Sequence, residues 1–139
     1  IIRSKCGPEP AIFLMVRQLS SKPVKGFEKF VEGLPEPDRL VLSGANAQEL
    51  VLASAVEGVH QGSRPLLEEI GIYSKFWGFE LSDLNVPVSL FQGEVDIDVP
   101  ASMARYQAEL IPNCELNLYP TDGHFSLLVN RIDEIIASL

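Results

Sequence analysis

Residues 86–128 do most to limit what this chain can fold into. They read VPVSLFQGEVDIDVP, then a helix-like stretch, then CELNLYPTDGHFSLL. Each end is a short apolar run followed by a turn-rich loop. Residues 87–91 have the composition of a parallel strand buried on both faces. Pro100 opens a helix carrying Met103, Ala104, Tyr106, Gln107 and Leu110, and Pro112-Asn113 ends it. Residues 115–119 read as a second strand. Residues 130–139 read as a final amphipathic helix with Ile132, Ile135, Ile136 and Leu139 on one side. The order strand–helix–strand–helix calls for a crossover and a parallel sheet, so the expected fold class is α/β.

The first part of the chain reads differently. Pro8 and Pro10 precede Ile12, Phe13, Met15, Val16 and Leu19 at helical spacing. Pro23 opens a second helix with Val24, Phe27, Phe30, Val31 and Leu34, closed by Gly33 and Pro35. Asp38 is positioned to cap a short turn through residues 39–42. Asn46 is a good cap for a helix over 47–60, where Leu50, Val51, Ala53, Ser54 and Val56 make the apolar stripe and Gly62 follows the end. Ser63 can cap the next helix, with Pro65 in its first turn and Glu68 and Glu69 near its start. We therefore expect a helical lid or cap segment over 1–80 and a strand–helix–strand–helix part over 81–139. Trp77 and Phe79, in the bridge between them, are expected to be hydrophobic anchors.

Bulk properties narrow the possible partners. A chain of 139 residues suffices for one domain, and an apolar fraction of 46% supplies a core. The net charge of −8 argues against nucleic acid and against docking on an anionic membrane. The apolar run at 11–16 is far short of the ~20 residues a bilayer span needs. Cys6 and Cys114 are too few and too far apart for a disulfide framework or a zinc site, so a reducing, cytoplasmic setting is expected. The chain begins with Ile1 rather than Met, and a natural N-terminus further upstream is expected.

Two residues stand out for chemistry. Asp96 is on the loop after the first strand and His124 on the loop after the second. In parallel sheets, sites form at the carboxyl ends of the strands, where both loops lie. An acid there can fix the tautomer of an imidazole, and an imidazole there can act as a general base. Asp98 competes for the acid role but is better placed to cap the following helix. Glu94 is expected to face solvent, Asp122 to serve the turn, and Ser126 to cap or pack. His60 lies at a helix end without a partner at metal-ligand spacing. No metal or cofactor is implied. The Gly-rich phosphate loop that a nucleotide-binding fold needs is absent, which weakens a flavodoxin-like reading.

The pattern G-E-x-D-x-x-V-P, helix, P-x-C-x-strand, P-x-x-G-H-x-S-L-L resembles the C-terminal part of an α/β-hydrolase. The resemblance covers residues 61–139, with the helical stretch before the strands similar to the lid of lidded members. It implies a partial α/β-hydrolase-like parallel sheet of about two strands. It also implies that Asp96 is the acid and His124 the histidine of a nucleophile–His–acid triad acting on an ester-like small substrate. The family's G-x-S-x-G nucleophile elbow has no counterpart in this sequence. The chain alone is therefore expected to be inactive, with the nucleophile half elsewhere, and its uncovered sheet edge is expected to drive self-association or pairing with that half. The alternative expectation is a non-catalytic remnant that binds a small apolar ligand or a protein partner.

Overall fold

In a computed structural model, the structure describes residues 20–73 and 75–138, together with Leu14, Val16 and Arg17. Of the first expected helix, Leu14, Val16, Arg17, Ser20 and Ser21 are helical. Cys6, Ile12, Phe13, Met15 and Leu19 lie outside the described residues. Four helices follow: α1 (Pro23–Glu32), α2 (Glu36–Leu42), α3 (Ala45–Gly58) and α4 (Arg64–Tyr73). A 3-10 turn at Leu81–Asp83 leads to β1 (Val88–Gly93), α5 (Ala101–Leu110), β2 (Cys114–Tyr119) and α6 (His124–Ala137). The chain is thus α/β, with helices first and a strand–helix–strand–helix unit second. None of the described helices is long and apolar enough to cross a membrane.

Proline and glycine punctuate the helical part as their backbone preferences require. Pro23 occupies the first turn of α1, where a missing N–H costs nothing, and Gly33 ends that helix. Phe27 is its buried residue, whereas Val24 and Phe30 of the expected stripe are exposed. In α3 the buried stripe also differs from expectation. Val51, Leu52, Ala55 and Val56 are half-buried, while Leu50, Ala53 and Ser54 face solvent. The helix starts at Ala45 with Gly44 as its cap, so Asn46 lies inside the first turn and does not cap it. Val16 and Val59 form a small core with Ala55, Leu66, Leu67 and Ile70 packed against it.

The strands pair in parallel, in register from Val88 opposite Cys114 to Gly93 opposite Tyr119. The crossover helix α5 packs on both strands and α6 packs on β1. Burial on both faces is not reached. Ser89 is exposed and Val88, Leu90 and Phe91 are half-buried, because no further strand among the described residues flanks the pair. Cys114 is likewise half-buried and free. Trp77 and Phe79 are not anchors. They are 57% and 44% exposed and pack on each other with ring centroids 6.3 Å apart. The Trp77 indole N–H donates to the Ile72 carbonyl at 3.0 Å, which satisfies its polar tip at the surface.

The last helix begins six residues before its expected start at 130, at His124. Its half-buried stripe is Leu127, Arg131 and Ile135, so Ile132 and Ile136 point outward. Two contacts hold it to β2. The Arg131 guanidinium lies 4.6 Å from the Tyr119 ring centroid, and the Tyr119 hydroxyl donates to Glu134 at 2.6 Å. That bond to the Glu134 carboxylate holds the Tyr119 phenol above its ordinary value. At its other end α6 meets α2, which joins the helical part to the strand part.

Gly93 sets how closely the two strand-end loops approach. The Glu94 N–H donates to the Tyr119 carbonyl at 2.9 Å and the Val95 N–H to the Asp122 carbonyl at 3.2 Å. A Cβ on Gly93 would lie 2.1 Å from the Asp122 carbonyl oxygen, where only backbone could yield. Gly93→Ala is therefore expected to destabilise the fold by about 3 kcal/mol. Gly58→Ala, with open space around it, should be neutral or stabilising by up to about 1 kcal/mol. Urea unfolding of the two variants checks this, and equal midpoints would refute the close-approach account.

Candidate active site

The loop after β1 folds around the Asp96 carboxylate. Oδ1 accepts the N–H groups of Asp98 and Val99, both at 2.8 Å. Oδ2 faces His124 Nδ1 at 3.0 Å. Gln92, buried at the end of β1, spans the loop from inside by donating to the carbonyls of Gly93 at 2.9 Å and Val99 at 3.0 Å. The Asp96 side chain is 5% exposed and the His124 side chain 42%. Burial pushes the Asp96 carboxyl up, but the bonds from Val99, His124 and Asp98 together outweigh it. The group sits below the ordinary carboxylate value.

This environment decides what the imidazole can do. An ionised Asp96 accepts the Nδ1 proton and leaves Nε2 as the basic nitrogen. Among the described residues Nε2 has no hydrogen-bond partner, and no Ser, Thr or Cys side chain bonds the ring. The structure thus brings the two residues singled out in the sequence into one pair, at the carboxyl ends of adjacent parallel strands.

The neighbouring acids have other tasks. The expected cap role of Asp98 is not found. Pro100 is the N-cap of α5 and offers no side-chain acceptor, and the Asp98 side chain is exposed. Glu94 is exposed, as expected, and also pairs with Arg105 of α5. Asp122 serves the turn and does more. Its buried carboxylate takes Asn130 Nδ2 at 2.7 Å and Arg131 Nε at 2.9 Å, which fastens the loop to α6. Ser126 is fully buried; its hydroxyl accepts the Gly123 N–H at 2.7 Å and donates to Asp38 at 2.8 Å. His60 lies exposed just beyond α3. Among the described residues Asp96, Asp98 and His124 offer ligand atoms within 4.8 Å of one another and could hold a cation.

Asp38 is the residue that sequence reasoning misplaced. It does not cap α2, whose N-cap is Pro35. Its carboxylate reaches the first turn of α6. Oδ2 accepts the His124 N–H at 3.0 Å, and Oδ1 accepts the N–H of Phe125 at 3.0 Å and of Ser126 at 2.8 Å. One local signal was available: Asp38 stands four residues from Leu34 on one side and from Leu42 on the other, and all three are buried, so an acid occupies a core position.

Beside the pair lies an apolar cleft of about 750 Å³ between α1, α3 and α4. Phe27, Phe30, Val51, Ala55, Leu66 and Phe125 line much of it. The Phe125 ring meets Phe30 edge-on at 5.9 Å and His124 at 5.2 Å, so one aromatic ring separates the cleft from the imidazole. No family model, curated protein or solved structure matches the chain.

The Asp96 environment has a pH consequence. Its folded value is depressed below 3.8, so its stabilisation is present above that pH and lost as pH falls through the folded value. Asp96→Asn should therefore flatten the acid limb of stability. Urea midpoints measured from about pH 6 down to about pH 2 check this. An acid limb as steep as that of the unaltered chain would contradict the assignment.

Proposed function

We propose that this chain supplies the histidine and the acid of an α/β-hydrolase triad, acting on a small ester-like substrate with an apolar part. The observation that carries the reading is the 3.0 Å bond between Asp96 Oδ2 and His124 Nδ1 across adjacent strand-end loops. The nucleophile, a serine hydroxyl in this reading, comes from outside these 139 residues. His124 Nε2 takes the proton of that hydroxyl as its oxygen attacks the carbonyl carbon, and Asp96 stabilises the imidazolium formed. The imidazolium then returns the proton to the leaving alkoxide. In the second half-reaction His124 activates water against the acyl group. The cleft holds the apolar part of the substrate beside Phe125. A cytoplasmic setting belongs to the same proposal and rests on cysteine usage, Cys6 and Cys114 being the only two.

Hydrolysis of p-nitrophenyl esters by the assembly that includes the nucleophile tests the reading. Asp96→Asn is expected to lower kcat by about four orders of magnitude and His124→Ala comparably, with Asp98→Asn far milder. A larger loss in Asp98→Asn than in Asp96→Asn would overturn the acid assignment. The 139-residue chain alone should neither hydrolyse the ester nor take up a fluorophosphonate label.

The size of the cleft favours a second reading, a non-catalytic module for a small apolar ligand. That reading predicts the same binding of an apolar dye by the unaltered chain and by His124→Ala, with no hydrolysis in any assembly.

In either case β1 and β2 each leave one edge unpaired among the described residues. The isolated chain is expected to self-associate in size-exclusion chromatography with light scattering as concentration rises. A single monomer peak at every concentration would count against it.

A further inference from the structure

Asp96 explains how the His124 ring is oriented, but not what sets the backbone from which that ring projects. His124 is the first residue of α6, and the first N–H groups of a helix have no partner within it. The residue before it, Gly123, has no side chain with which to cap. Ser126 meets that need for Gly123 alone. The N–H groups of His124, Phe125 and Ser126 all go to one carboxylate, on a helix 86 to 88 residues earlier in the chain.

We infer that Asp38 is a positioning residue for His124: it holds the backbone of the histidine, while Asp96 holds the ring. Asp38 is 0% exposed and bonds no cation among the described residues. The N–H donors and the positive end of the helix balance its charge. The fit is tight. A Cβ on Gly123 would lie 2.3 Å from Asp38 Oδ2, so a glycine before the histidine is what admits the carboxylate. Leu34 and Leu42, four residues to either side of Asp38, are 4% and 3% exposed. The significance of the positioning for proton transfer rests on the hydrolase reading. The positioning itself can be measured on this chain without any hydrolysis, so the two can fail separately.

The test uses the 139-residue chain labelled with 15N. In the unaltered chain the amides of His124, Phe125 and Ser126 should exchange with solvent at least about tenfold more slowly than those of Ala101 and Ser102. Those two open α5, whose N-cap, Pro100, makes no side-chain cap bond. The imidazole 15N shifts should report one neutral tautomer, with the proton on Nδ1. Asp38→Asn turns an NH2 group toward the same N–H donors, and Gly123→Ala displaces the carboxylate while keeping it. Both should at least halve the Nδ1–H tautomer population. Leu42→Ala, which thins the same buried face without touching the carboxylate, should leave that population unchanged. The inference is overturned if the three amides exchange as fast as those of α5. It is overturned equally if both Asp38→Asn and Gly123→Ala keep the tautomer, or if Leu42→Ala loses it to the same extent. Should neither site variant fold, the exchange rates of the unaltered chain decide.

Discussion

A carboxylate borrowed from a distant helix makes the start of α6 possible. Helix N-termini usually find their acceptor in the preceding residue or two. Here the preceding residue is glycine, and the acceptor is Asp38 on α2. The exchange serves both partners. An acid buried on an otherwise apolar face would be costly without donors, and three N–H groups at a helix start would be costly without an acceptor. Each removes the other's penalty, and the contact ties the helical part of the chain to the part that carries the acid–histidine pair.

The same economy runs through the surrounding residues. Among the described residues the buried polar ones are Asp38, Gln92, Asp122 and Ser126, and all belong to this one region. Among the described residues no buried side-chain nitrogen or oxygen lacks a partner. Asp122 secures one end of the histidine loop, Asp38 the other, and Gln92 the floor of the acid loop. The apolar residues of the strands are mostly half-buried. The most completely enclosed part of the strand–helix–strand–helix unit is therefore a polar network. Fully satisfied networks of this kind specify one arrangement more sharply than apolar contacts of similar extent do.

Much of this was legible in the sequence, for local reasons. Prolines and glycines at Pro23, Gly33, Pro100 and Gly62 bracket segments whose apolar spacing identifies them, and both strands follow from short apolar runs ending in turns. Asp96 and His124 could be paired because strand ends in a parallel unit lie side by side. What could not be read depends on distant partners. The start of α6 was placed too late because its cap is not nearby in sequence; only Ser126, three residues into the helix, hinted at it. Asp38 was read as a cap for its own turn for the same reason. Trp77 and Phe79 were misread differently: large aromatic side chains are often buried, but composition does not say which of them a given surface leaves out.

The span of the Asp38 contact also bears on the order in which the molecule assembles. The Asp96–His124 bond closes a loop of 28 residues, within a unit of two strands and their crossover helix. The grip of Asp38 on α6 closes one of 86 to 88. On loop-closure entropy alone the longer one costs about 1 kcal/mol more. The strand pair and α5 can therefore form first, with the first turn of α6 still frayed. On that order the histidine would reach its final place when α2 docks, and completing the candidate site and completing the fold would be one event.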